Sequence, residues 1–272
     1  MNGIPEAGEL LELARAIAEE AGAMLAGRSG RAVVVSTKSS PTDVVTEMDQ
    51  AAEQLIRDRI LGARPGDAIL GEEGGETGEG APVRWIVDPL DGTVNYLYDL
   101  PDWAVSIAAE VSGEVVAGVV CVPRRELVYY GSLGGGSYRA YADGGQARRL
   151  ACNAGVPLSR ALVATGFGYA PERRRVQGEV VAAVLPRVRD IRRAGAAAVD
   201  LCSLAAGNVD GYYERGLNPW DIAAGGLIAR EAGAIVSGLG GQQAGPSMTV
   251  GGGPGLFAEL HDLLVSLDAE RS

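Results

Sequence analysis

Residues 84–103 read R-W-I-V-D-P-L-D-G-T-V-N-Y-L-Y-D-L-P-D-W. Trp85-Ile86-Val87 suits a buried strand. It ends in Asp88, Asp91 follows three residues on, and Gly92-Thr93 should open a helix or turn. Hard divalent cations take oxygen ligands together with substrate phosphate, and helix-start N–H groups bind anions. A strand-end pair of carboxylates beside such amides can therefore serve both.

The chain has 272 residues, enough for one large domain or two closely packed halves. With 47% hydrophobic and 22% charged residues it is a soluble globular protein by composition. Its net charge of −11 disfavours a nucleic-acid partner. Arg173–Arg175 reads as a solvated helix start, and Arg187–Arg193 as solvated helix surface. No apolar run is long enough for a membrane span. Met1–Leu11 carries acids and no basic region before an apolar core, unlike a secretory signal. Cys121, Cys152 and Cys202 are odd in number and widely spaced, as expected of reduced thiols in the cytoplasm.

His261 is the one histidine. A Ser-His-Asp or Cys-His machine would depend on it alone, and a histidine-rich zinc site is excluded. The chemistry falls to carboxylates, hydroxyls and metal.

Leu10, Ala14, Ile17, Ala21, Met24 and Leu25 recur at helical spacing, predicting a helix over 6–26 closed by Gly27. Arg31–Ser36 reads as a strand. Thr46 caps a helix, with Asp49 in its first turn. Strands end at Leu70 and Val87, and three more occupy 103–111, 115–122 and 126–131. Beyond 148, strands at 161–166, 188–192, 210–215 and 234–237 alternate with helices at 172–185, 195–207, 219–232 and 255–268. Gly131–Gly136, Gly144-Gly145 and Gly251–Gly253 read as turns, and Gly71–Gly80 as an exposed mobile loop. The expected fold is layered α/β (α+β). It forms one domain over 1–272, with an N-terminal α+β half (about 1–147) and a C-terminal α/β half (about 148–272).

Four acidic sites stand at the ends of apolar elements: Asp49, Glu72-Glu73, Asp88 with Asp91, and Asp221. Singly each has a plain structural reading. Asp49 fits a helix cap, Glu72-Glu73 solvated charge, and Asp221 a first helical turn favoured by the macrodipole. Gathered together they would raise one another's pKa values and oppose folding. Two or three Mg²⁺ ions remove that conflict, and paired metals clamp the attacking and leaving oxygens of phosphoryl transfer.

The segments K-S-S-P-T-D-V-V-T-E-M-D (38–49), G-E-E (71–73), W-I-V-D-P-L-D-G-T-V-N-Y (85–96), G-Y-Y-E-R-G-L-N-P-W-D-I-A-A-G (211–225) and E-A-G-A (231–234) together resemble the inositol monophosphatase family in order and spacing. The resemblance implies an αβαβα sandwich of the sugar-phosphatase type, usually a homodimer. It also implies Mg²⁺-dependent, Li⁺-sensitive hydrolysis of phosphate monoesters by metal-activated water. On the same basis Glu72, Asp88 and the Leu90 carbonyl hold one metal, and Asp88, Asp91 and Asp221 a second. A third lies near Glu72, with Asp49 in its outer environment.

Gly92 and Thr93 then bind phosphate, Thr93 with Asp49 orients the water, Glu73 assists, and Lys38 belongs to a loop over the metals. Asp91, Asp221, Glu214 and the Gly195-Ala196-Ala197 stretch face the substrate, a small phosphorylated polyol. Two positions depart from the family pattern: Ala196 replaces a Ser or Thr, and Ser237-Gly238 an Asp. Histidinol phosphate, fructose 1,6-bisphosphate and 3′-phosphoadenosine nucleotides are the alternative substrates. A non-catalytic interaction protein is the reading of another class, and a calcium-binding loop lacks its D-x-D-x-D-G spacing.

Overall fold

The computed structural model describes residues 6–29, 32–38, 41, 43–78, 80–141 and 145–271. Arg31 of the expected first strand, Gly144 of an expected turn, and Ser39, Ser40 and Thr42 of the 38–49 segment lie outside them, as do Met1–Pro5 and Glu79. In chain order come α1 (Ala7–Ala26), β1 (Val34–Thr37), β2 (Val44–Thr46), α2 (Glu47–Ala63), β3 (Ala68–Gly71), β4 (Gly75–Thr77), β5 (Val83–Asp91), α3 (Thr93–Leu97), β6 (Ala104–Val111), β7 (Glu114–Val122), β8 (Leu127–Ser132), β9 (Gly136–Tyr141) and β10 (Arg148–Arg149). The second half adds β11 (Leu162–Thr165), α4 (Pro171–Val184), β12 (Asp190–Arg192), α5 (Ala197–Ala205), β13 (Gly211–Glu214), α6 (Pro219–Glu231), β14 (Ile235–Ser237), β15 (Thr249–Gly252) and α7 (Leu256–Ser266).

Strands β3 to β10 form an eight-stranded sheet in the order β10-β9-β8-β7-β6-β5-β3-β4. It is antiparallel except where β3 runs parallel to β5. A five-stranded sheet follows in the order β12-β11-β13-β15-β14.

Strand alternation sorts the side chains into layers. Trp85 and Val87 of β5 and Val105, Ile107 and Ala109 of β6 pack with the apolar stripes of α1 and α2. Ile86, Ala104 and Ala108 point the other way, into a core shared with α5, α6 and Tyr212 of β13. The next residue, Tyr213, joins a third core with Val180 and Val184 of α4 and Leu256 and Leu260 of α7. The result is five layers, α1/α2, sheet, α5/α6, sheet, α4/α7: the expected αβαβα sandwich. No described helix is long and apolar enough to cross a membrane.

Three glycine-rich expectations need correction. Among the described residues of Gly71–Gly80 the stretch from Gly74 on is exposed as expected, but it is not a loop throughout: β3 and β4 pair as a hairpin, and Gly71 is buried. In Gly131–Gly136 the turn is confined to 133–135, because Gly131 lies within β8, which runs to Ser132, and Gly136 starts β9. Gly251 and Gly252 lie within β15, paired on both sides. Close approach demands glycine there. A Cβ on Gly251 would sit 2.7 Å from Leu204 Cδ2, and one on Gly253 would sit 1.7 Å from the Asn153 carbonyl oxygen.

Candidate active site

The end of β5 builds the centre of the site. Asp88 pairs with Ser106 and Asp91 with Ala104, so four residues of β5 span three of β6. In a regular strand, residues three apart face opposite sides. The bulge at Pro89-Leu90 adds one residue and turns both carboxylates to one face, the face that α5 and α6 cover.

Asp221 reaches the same place from the first turn of α6. Its Oδ2 accepts the Asn218 N–H at 2.6 Å, within a capping box. Asp91 does the like for α5. Its oxygens accept the N–H of Ala198 at 2.8 Å and of Ala197 at 3.3 Å. Both carboxylates therefore sit at positive helix ends, where negative charge is favoured.

Glu72 follows β3 and donates its N–H to the Val87 carbonyl, which holds it beside β5. Lys38 Nζ bridges Glu72 Oε1 at 2.7 Å and Glu73 Oε1 at 2.5 Å. Gly92 takes φ +87°, open to glycine at little cost, and turns the chain into α3. Thr93 Oγ1 lies 3.0 Å from Asp49 Oδ1 and 3.2 Å from the Leu90 carbonyl. The second Asp49 oxygen accepts from the Thr46 backbone and hydroxyl.

On the far side, the Tyr212 hydroxyl donates to Glu214 Oε2 at 2.8 Å. Gly166 leaves room for that carboxylate, since a Cβ there would lie 2.1 Å from it. Lys38, Glu72, Asp88, Leu90, Asp91, Gly92, Thr93, Gly195, Ala197, Glu214 and Asp221 line one cavity of about 500 Å³.

Three expected site residues do not line it. Asp49 is buried behind Thr93, and Glu73, paired with Lys38, lines a separate cavity with Gln50, Glu53 and Arg57. Ala196 is buried at the start of α5 with its Cβ facing Gly92, which lines the cavity.

Arg173 and Arg193 are exposed, as expected, but both also line the cavity, and Arg193 lies on the connection after β12 and not on a helix. Arg173 lies over Gly168 and Gly216, where a Cβ would come within 2.8 Å of its Cδ and 2.3 Å of its Nη1. Tyr169 and Asn218 also line the cavity. Asn218 is placed there by its capping box with Asp221, whereas only the chain's return from distant segments brings Arg173, Arg193 and Tyr169, and no local spacing announces it.

Electrostatics sets the character of the cavity. Burial pushes the Asp88 carboxyl well above its usual range, and the charges of Glu72, Asp91 and Asp221 add to it. Asp221 is raised likewise, by burial and then by Asp91. Burial lifts Asp91 to about 7 against the opposing Ala198 N–H, and Glu214 to about 7 against the Tyr212 hydroxyl. Asp49 is lifted by burial to about 6, opposed by Thr46 and Thr93. Burial lowers the Lys38 pKa, but Glu72 and Glu73 outweigh it and the net shift is upward.

The donors are all hard oxygens with an excess of negative charge, which suits Mg²⁺. Among the described residues no three acidic, histidine or cysteine side chains close on one point as they stand. Their oxygens are engaged with Lys38, the α5 amides and Asn218.

Glu214 yields a pH-dependent prediction. Above about pH 7 its buried carboxyl must ionise at a cost, whereas glutamine stays neutral and still accepts from Tyr212. In chelator, Glu214→Gln should melt about 5 °C higher than the parent at pH 8. The gain should shrink as the pH falls toward 5, where the parent is itself protonated. Calorimetry at both pH values checks this; an equal shift at each, or a loss at pH 8, refutes it.

Comparison with known proteins finds relatives over nearly the whole chain. The model of the inositol monophosphatase family matches residues 6–267. The Mycobacterium tuberculosis protein named inositol-1-monophosphatase SuhB is 44% identical, over 94% of this chain and 93% of its own. The Escherichia coli K12 protein named Nus factor SuhB is 40% identical over 84% of each chain. Among solved structures, an IMPase of Thermotoga maritima superposes with a TM-score of 0.85 at 30% identity, covering 96% of this chain and 99% of that one.

Proposed function

The chain belongs to the inositol monophosphatase family and is a phosphoric monoester hydrolase, and we propose that it acts, with Mg²⁺, on inositol monophosphate or a closely similar small polyol phosphate. The observation that carries this reading is the convergence of Asp88, Asp91 and Asp221, a strand bulge and a helix start meeting at one cavity. The M. tuberculosis relative's name supports the choice of substrate.

Glu72, Asp88, Asp91, Asp221 and the Leu90 carbonyl would hold the cations. When bound, these would neutralise the cluster and the substrate phosphate and lower the pKa of water toward neutrality. The chain's own groups do the rest. The Gly92 and Thr93 amides receive the phosphate, and Thr93 Oγ1, backed by Asp49, orients the attacking water and takes up its proton. Glu214 and Asp91 accept hydrogen bonds from the polyol hydroxyls. Lys38 offsets the charge of Glu72 and Glu73.

The same reading takes the protein as one domain of two halves, a homodimer in the cytoplasm. Cys121, Cys152 and Cys202 are free thiols, in keeping with that compartment.

The test is a substrate panel of inositol 1-phosphate, histidinol phosphate, fructose 1,6-bisphosphate and 3′-phosphoadenosine 5′-phosphate, with Mg²⁺ and with chelator. The expected result is the highest kcat/KM for inositol 1-phosphate, no turnover in chelator, and inhibition by Li⁺. Undiminished turnover in chelator would remove the metal, and preference for the nucleotide would remove the polyol. The E. coli relative's name, Nus factor, favours a second reading, a protein-binding role alongside hydrolysis. Association with transcription proteins by an inactive variant would establish it.

A further inference from the structure

Glu53 lies in the middle of α2, one helical turn beyond Asp49, and is only 3% exposed. A buried carboxylate needs partners, and Glu53 finds them on the β3–β4 hairpin. Its Oε2 accepts the Glu73 N–H at 2.7 Å, and its Oε1 accepts the Gly74 N–H at 2.8 Å and Arg57 Nε at 2.8 Å. Arg57 continues to the Gly75 carbonyl at 2.6 Å and to Thr77 Oγ1 at 3.1 Å.

The hairpin is shaped around this carboxylate. A Cβ on Gly71 would sit 2.4 Å from Glu53 Oε1, and one on Gly74 would sit 2.7 Å from it. Neither glycine has a positive φ, so backbone freedom does not call for glycine at either position. What excludes a side chain is Glu53, joined at Gly74 by Arg57. In Gly71-Glu72-Glu73-Gly74, then, the two acids are flanked by two glycines that admit a third.

Glu72 is thereby held from both sides. Its own N–H is fixed to Val87 of β5, next to Asp88, and the N–H groups of the next two residues are fixed to Glu53. We propose that Glu53, braced by Arg57, is the positioning residue that holds Glu72 in register with Asp88, and so governs how tightly the site takes up divalent cation. This rests on the reading of Glu72 as a cation ligand.

Partners behind metal ligands typically change metal affinity or activity about 10–100-fold when removed. Glu53→Ala should therefore raise the Mg²⁺ concentration for half-maximal activity about tenfold, with kcat recovering toward the parent value at saturating Mg²⁺. A purely structural brace would lower Tm and leave that concentration alone. Gly74→Ala tests the same contact without emptying the core. It should shift the Mg²⁺ requirement in the parent and have a smaller effect in Glu53→Ala, where only Arg57 Nη2, 2.9 Å from the added Cβ, still opposes it, a non-additivity expected only of groups in contact. Glu72→Gln is measured alongside. If it moves the Mg²⁺ requirement and neither Glu53→Ala nor Gly74→Ala does, the positioning role is overturned. If Glu72→Gln leaves the requirement unchanged, the ligand reading fails and the proposal with it. Additive effects of Gly74→Ala and Glu53→Ala would also overturn it.

Discussion

Replacing Asp91 with asparagine should lower kcat/KM by about a thousandfold or more and leave the chain folded. Asp91 carries a charge into the cluster with Asp88 and Asp221, and it accepts the first two free amides of α5. Asparagine offers one oxygen to those amides but turns an NH₂ toward the other, a donor against a donor. Cation ligation and transition-state charge stabilisation are worth several kcal/mol, about three powers of ten in rate. Stability moves the other way. Removing one of several mutually repelling buried carboxylates relieves Asp88 and Asp221, so the chelated variant should melt no lower than the parent. Steady-state kinetics in saturating Mg²⁺, paired with thermal melts in chelator, read both effects. Activity within tenfold of the parent at an unchanged Mg²⁺ requirement would strip Asp91 of its role.

The Asp88–Asp91 spacing shows how far such a site can be read in a sequence. Two carboxylates at a strand end were visible, as were the Thr46–Asp49 cap and the acidic start of α6, because capping and hydrophobic periodicity are local signals. The helices given limits, α1 and α4 to α7, lie within two residues of them for the same reason. The bulge was not visible. D-P-L-D does not say that an extra residue will turn both side chains to one face, because the ladder with β6 decides that.

Strand β15 escaped because strand preference is carried by side chains packing on a pleated surface, and Gly251-Gly252 has none. Arg173, Arg193 and Glu53 escaped for a different reason. Each sits on a polar helix face or a connection that reads as solvated; long-range packing gives the arginines a cavity to face, and gives Glu53, beyond its local partner Arg57, the amides of Glu73 and Gly74. Departures from the family pattern are easier to see than to interpret. Ala196 suggested a missing substrate contact, yet its side chain is buried, facing Gly92, which itself lines the cavity.

The other large effect is expected at Thr93. Thr93→Val keeps the shape of the side chain and deletes the hydroxyl, so binding should survive while the proton path is cut. Oγ1 has one hydrogen. At 3.0 Å from Asp49 Oδ1 it can give that hydrogen to the carboxylate and keep a lone pair for the attacking water. General-base assistance of this kind is worth about 10²–10⁴ in rate, so kcat should fall by roughly that factor with KM little changed. Asp49→Asn should cost as much, because an amide NH₂ group or a weakened acceptor no longer orients the hydroxyl. The two act as one unit, so the double variant should be no slower than the worse single one.

The pH profile carries the same signature. Burial lifts Asp49 to about 6, and bound cations would pull it lower, so the acid limb of kcat/KM should fall at or below about pH 6. Asp49 is the ionised acceptor above that limb and a protonated, inactive group below it. In Asp49→Asn its share of the limb should therefore be lost and the limb should shift, leaving only that of the carboxylates that would hold the cations. Multiplying losses in the double variant, or an acid limb unchanged in Asp49→Asn, would mean that Thr93 and Asp49 are separate features of the fold and that the proton leaves by another route.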